Sequence, residues 1–294
     1  MTPTELHLAE GRLAALAWGK PDAPTWLALH GWLDNAASFS RLAPLLVERL
    51  GIRIVVLDFA GHGRSRRHPP GVDYAIWDYC HDVLDAMVSL ELESAPLLAH
   101  SMGAGVACLL AAALPERVER LMLIDGLGTL STPGDDTAQQ LRRGLLGHRR
   151  RSSPSPRYAD LESAVAARVA GGVTPIDADS AWPLVERNLE PLEDGHVRLR
   201  TDGRLLRPSL VRFCPEQVVG MLAAIEAPTL LIEGDRGILG EREGARQNRA
   251  ALKGLERRVL QGGHHLHLER EALAEVVGSI AQWWQMAATG VVEK

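Results

Sequence analysis

Residues 97–107 read LLAHSMGAGVA, an apolar run that stops at His100-Ser101 and passes into a string of small residues. That order fits a strand, a sharp turn and a helix. The serine sits where the chain reverses, and Gly103, Ala104, Gly105 and Ala107 let the helix pass close to the strand it leaves. Such a turn pushes a hydroxyl out to where a base can reach it. The backbone N–H groups of the helix start, Met102 first, are placed to stabilise a developing oxyanion. AHSMG departs from the pattern G-x-S-x-G only at Ala99, and a serine ahead of a helix is equally well a helix cap. The rest of the chain has to decide between a nucleophile and a cap.

The same alternation extends in both directions. TELHLAE (4–10) and RLAALAW (12–18) alternate around a turn at Glu10-Gly11, and TWLALH (25–30), IRIVVLD (52–58), APLLAH (95–100) and RLMLID (120–125) are apolar strands. Helical periods lie between them, over about 35–50, 73–92 and 102–114. After Gly126 the alternation stops for about ninety residues rich in arginine, proline and serine, then resumes with APTLLIEGD (227–235), a helix near 243–252, ERRVLQGG (256–263) and a last helix over about 270–286. Strands alternating with helices predict a mostly parallel, doubly wound α/β sheet. The excursion is too long for a plain loop and predicts a helical cap. The expected organisation is a core domain of 1–126 and 225–294, with a cap over 127–224 inserted after the sixth strand.

Composition narrows the function classes. The 294 residues are 46% hydrophobic and 23% charged, with a net charge of −5, so nucleic acid is not an expected partner. Cys80, Cys108 and Cys214 are far apart with no C-x-x-C spacing, which indicates neither a disulfide framework nor a cysteine metal site. No apolar run has membrane-spanning length and the start has no signal-peptide pattern, so the expectation is a cytoplasmic protein without a membrane association, monomeric or homodimeric. Trp283-Trp284 reads as core packing.

A nucleophilic serine needs a base. VLQGGHHLHLERE (259–271) runs from a strand through two glycines into His264, which is favoured over His265 and His267 because it follows the glycine turn directly. No set of carboxylates or thiols accompanies the three histidines, so no metal is expected. LALHGWLD (27–34) places the backbone N–H of Trp32 after a strand end, where with that of Met102 it would form an oxyanion hole, while His30 reads as a loop brace. Two acids follow strand ends, Asp125 in LMLIDGLG and Asp235 in LLIEGDRGIL.

HGW, DFAGHGRS, AHSMGAG and GGHHLHLE, in this order, resemble the cap-bearing branch of the α/β-hydrolase superfamily, and LHGWLDNAASF with DFAGHGRS is similar to its serine hydrolase-like group. The resemblance covers nearly the whole chain and implies an α/β-hydrolase fold, a Ser101–His264–acid triad, and a bracing role for Asp58, His62 and Ser65. Most of that family carries the acid as G-x-x-D after the later strand, where this chain has Gly237. Some haloalkane dehalogenases place it at the end of the earlier strand and keep a glycine at the later position, so the resemblance favours Asp125 and leaves Asp235 as the alternative. Their aspartate nucleophile is absent here, as is that of the epoxide hydrolases.

The chemistry expected is hydrolysis of a small-molecule carboxylic ester or thioester through an acyl-enzyme, with no cofactor. The same residues would also serve carbon–carbon bond hydrolysis or perhydrolysis, and a non-catalytic binding protein on this fold is a third reading. The arginines of RRGLLGHRRRSSPSPR (142–157) would either steer an anionic thioester or form a solvated face.

Overall fold

The computed structural model describes residues 1–150, 155–172 and 174–289. Eight strands form one sheet: β1 (Thr4–Leu8), β2 (Leu13–Trp18), β3 (Thr25–Leu29), β4 (Arg53–Leu57), β5 (Ala95–His100), β6 (Val118–Ile124), then β10 (Thr229–Gly234) and β11 (Leu255–Leu260). Their spatial order is β1-β2-β4-β3-β5-β6-β10-β11. Only the pairings of β2, with β1 and with β4, are antiparallel. The turn between β1 and β2 runs through positive φ at Ala9, Glu10 and Gly11.

Period-two alternation assigns each strand's side chains to the two faces of the sheet. Leu27, Leu29, Leu97 and Ala99 face one core layer, shared with α2 (Asp78–Ser89) and α3 (Met102–Ala113). Trp26, Ala28 and Leu98 face the other, under α1 (Leu42–Leu50) and α9 (Arg270–Thr289). Trp283 is buried there and Trp284 lies against Trp26, with ring centres 4.5 Å apart. The helix expected from 35 to 50 begins instead with a 3₁₀ turn at Ala36–Phe39, because the Asn35 side chain accepts from Ala37 N and caps it.

Between β6 and β10 the chain adds no strand to the main sheet among the described residues. It forms α4 (Thr137–Arg149), α5 (Leu161–Gly171), α6 (Ala178–Asn188) and α7 (Pro215–Ala223). Beside these helices the insertion, expected as a helical cap, carries a small antiparallel sheet, β7 (Arg157–Tyr158), β8 (Leu189–Pro191) and β9 (Val197–Leu199), in the order β7-β9-β8. These strands are two or three residues long, too short to leave a period-two signature. α5 and α6 share their own apolar cluster of Ala164, Val165, Ala181, Leu184 and Val185, whereas α7 sends Val218 and Leu222 into the main core.

One buried ion pair ties the insertion to the sheet. Arg187 of α6 donates through Nε and Nη2 to Asp58, at 3.0 and 2.8 Å from Oδ2, and also reaches Glu5. Asp58 is fully buried and also accepts from Ala36 N at 2.6 Å and Arg64 N at 2.8 Å. Removing the guanidinium leaves a buried carboxylate without its counter-charge. Arg187→Met is expected to lower stability by about 3–5 kcal/mol, read from the urea midpoint.

Candidate active site

Ser101 lies between β5 and α3 with φ 52° and ψ −114°, a conformation that costs a residue with a side chain of order 1–3 kcal/mol. The turn persists because α3 starts against the end of β3. A Cβ on Gly103 would overlap the carbonyls of Leu29 and His30, so only glycine permits the approach. β5 pairs with β6, His100 opposite Ile124, so Asp125 follows the strand next to the serine's own.

His264 joins the two. Its Nε2 lies 2.9 Å from Ser101 Oγ and its Nδ1 2.6 Å from Asp125 Oδ2. A carboxylate only accepts, so Nδ1 carries the proton and Nε2 presents a lone pair to the serine hydroxyl. Asp125 is fully buried, at φ 42°, and Oδ2 accepts a second hydrogen bond from Ile238 N at 2.8 Å. Gly237, the position to which the family resemblance would assign the acid, points its missing side chain at this carboxylate: a Cβ there would overlap Asp125. The two positions thus compete for one volume beside His264.

Asp235 is not brought to His264. Its Oδ1 accepts from Gly262 N at 2.9 Å and pairs with Arg236, which braces the loop between β11 and the histidine. His30 bridges Gly31 O (2.7 Å from Nδ1) and Phe59 N (3.1 Å from Nε2), and burial lowers its pKa to about 4, as expected of a neutral brace. Ser65 Oγ donates to Asp58 O and accepts from Ala14 N, so the DFAGHGRS loop is held from inside. A Cβ on Gly31 would stand 2.9 Å from His100 Nδ1, so the chain enters Trp32 alongside the strand end that leads into Ser101. The Trp32 indole donates to Leu205 O of the insertion at 3.1 Å.

A second polar cluster, not anticipated from the sequence, lies behind the first. His100 Nε2 donates to His264 O at 2.9 Å, and His267 Nε2 is 2.8 Å from Ser38 Oγ. Asp34, 2% exposed, has Oδ2 3.4 Å from His265 Nε2 and 3.7 Å from His100 Nδ1, with Arg168 of α5 3.9 Å from Oδ1. Burial alone would raise the Asp34 pKa, but the positive charge of nearby His265 and Arg168 holds it well below the usual carboxylate range. Burial and neighbouring imidazoles hold His100 well below its ordinary value and His267 at about 3, so both are neutral. The available signal was the aspartate of HGWLDN, two residues after Trp32. Among the described residues no three or more His, Cys, Asp or Glu are arranged to hold a metal ion, and no helix is long and apolar enough to cross a membrane.

The alpha/beta hydrolase fold family matches residues 24–271, and the chain belongs to it. A serine hydrolase-like protein of Dictyostelium discoideum is 32% identical over 279 residues, covering 90% of this chain and 77% of its own. The crystal structure of a hypothetical protein from Pseudomonas aeruginosa PAO1 superposes with a TM-score of 0.88 at 42% identity, over 97% of this chain and all of that one. A thioesterase domain from the curacin biosynthetic pathway superposes with a TM-score of 0.79 at 26% identity, over 95% of this chain and 99% of that one. The chain is a hydrolase of the serine hydrolase-like kind.

The competition between positions 125 and 237 predicts a transplant. Gly237→Asp alone, which crowds two carboxylates together, is expected to remove hydrolysis of an activated ester. The double variant Asp125→Gly, Gly237→Asp is expected to recover at least about tenfold over Asp125→Gly, measured as kcat/KM.

Proposed function

We propose that the protein is a serine hydrolase cleaving a small-molecule carboxylic ester or thioester through a Ser101–His264–Asp125 triad. The observation that carries this reading is the unbroken hydrogen-bond chain from Asp125 Oδ2 through His264 to the Ser101 hydroxyl on a strained turn. Ser101 Oγ attacks the carbonyl carbon as its proton passes to His264 Nε2. Asp125, already bonded to Nδ1–H, stabilises the imidazolium that forms. The tetrahedral oxyanion is received by the backbone N–H groups of Trp32 and Met102. His264 then protonates the leaving alkoxide or thiolate. Water, deprotonated by the same nitrogen, attacks the acyl-serine and releases the acid and the free Ser101 hydroxyl.

The segment 127–224 acts as the cap in this reading, since its Leu205 carbonyl already bonds the side chain of Trp32, one of the two oxyanion residues. The likeness to a thioesterase domain supports keeping the thioester beside the oxygen ester. Of the arginine-rich stretch read as either steering an anionic thioester or forming a solvated face, residues 151–154 lie outside the described residues.

Rates on p-nitrophenyl esters of increasing acyl length test the reading. Ser101→Ala is expected to remove turnover at every length, and Asp125→Asn to lower kcat about 10³–10⁴-fold. Asp235→Asn should stay within about tenfold of wild type, since it only braces a loop. A larger loss in Asp235→Asn than in Asp125→Asn would transfer the acid role to Asp235, and activity surviving Ser101→Ala would end the proposal.

A further inference from the structure

Asp34 is a buried carboxylate that the proposed chemistry does not use. It lies four residues after His30 on the loop that carries Trp32, and neither oxygen has a hydrogen-bond partner within the usual limit. Burying a carboxylate in that state is expensive unless nearby charge offsets it. Three groups approach it from three other parts of the fold: His100 from the end of β5, His265 from the loop after β11, and Arg168 from α5 of the insertion. Two of these are chain neighbours of the reacting side chains, His100 of Ser101 and His265 of His264. His100 is bonded, in addition, to the His264 carbonyl.

Building on the serine hydrolase reading, we propose that Asp34 is a positioning residue for the Ser101–His264 pair. Its carboxylate gathers His100 and His265, and Arg168 sets how much of its negative charge His264 feels. The His264 ring lies 5.1 Å from that of His265 and 4.6 Å from that of His100, so Asp34 is one ring removed from the base. At that range in a buried site, a full charge acts strongly on a neighbouring imidazolium. Among the described residues, the charged and titratable groups around His264 include Asp125, His100, His265 and His267, and those around Asp34 include His265, His100, His30, His62, His267 and Arg168, with His30, His62 and His267 held neutral by burial. Asp34 and Arg168 are therefore the charges that can be varied without touching the proposed triad.

The sign follows. An anion favours the imidazolium form of His264, and a cation beside that anion offsets part of the effect. Asp34→Asn removes the anion, so His264 keeps its free Nε2 lone pair down to lower pH. Arg168→Gln removes the cation and moves the transition the other way. A purely packing role for the cluster would give no such opposition.

The experiment follows two readouts across wild type, Asp34→Asn and Arg168→Gln. One is the pH dependence of Ser101 labelling by a fluorophosphonate, which needs the free base and no knowledge of the substrate. The other is the pH midpoint at which the downfield Nδ1–H resonance of His264 shifts in the proton NMR spectrum, assigned by its loss in His264→Gln. The expected result is an acid limb and a resonance midpoint lower by about half a pH unit or more in Asp34→Asn and higher in Arg168→Gln. Asp34→Asn is also expected to label about tenfold more slowly at its optimum, with Asp34→Glu recovering most of that loss. Coinciding midpoints in all three proteins, or shifts of the same sign in both variants, would overturn the proposal. Should Asp34→Asn fail to fold, Arg168→Gln alone decides, because its side chain is partly exposed. Absence of labelling in wild type would count against the serine hydrolase reading, and the resonance midpoints would still decide the role of Asp34.

Discussion

The contact on which the site depends is the 2.6 Å hydrogen bond between Asp125 and His264. It joins the end of a central strand to a loop beyond the last strand of the sheet, with β10 between them. For the bond to form, β6 must lie beside β5, β10 must end in residues that leave the carboxylate room, and the loop after β11 must fold back over both. Gly237 supplies the room, and Asp235, bonded to Gly262 N, holds the fold-back. The two acids that compete for one role in the sequence are thus cooperative in the structure. One orients the imidazole, and the other fixes the backbone that delivers it.

Much of this order was legible in the residues. Most strands of the main sheet contain an apolar run bounded by glycine, proline or a helical period, so LALHG, LLAHS and LMLID could be placed from the sequence, and the two glycines of VLQGG marked the end of the more polar β11. Neither the choice between Asp125 and Asp235 nor the function of Gly237 could be settled from strand ends alone. Both acids follow apolar strands, and only the spatial neighbourhood of β5 and β6 separates them. Arg168 and Arg187 were invisible for a different reason: each is one of many arginines in the insertion, and its partner is more than 120 residues away in the chain. Charge composition describes a segment's average. A buried pair depends on one side chain and its register.

The small sheet in the insertion escaped for a reason of scale. Its strands carry too few side chains to display a period, and they are held by pairing with each other. The helices α5 and α6 follow aspartate caps, Asp160 and Asp177, each accepting from the backbone N–H three residues on. Those signals are local and strong, yet they sit in a stretch where proline, glycine and arginine mask the helical period.

The two buried carboxylates behind the site share one arrangement. Asp58 and Asp34 both belong to core loops, and each meets a guanidinium from the insertion, Arg187 and Arg168 respectively. A lone buried carboxylate would be costly in either loop, so the core is electrostatically incomplete until the insertion docks. The insertion is correspondingly held at the positions where the sheet places its charge, and one of these, Asp34, is in the loop of Trp32. Motion of the insertion and the electrostatics around His264 are for that reason a single problem: displacing α5 moves a positive charge away from a carboxylate that lies one imidazole from His264. In the proposed hydrolase, a substrate that displaced the insertion would be felt at His264 as a change of field, without any contact between the substrate and Asp34.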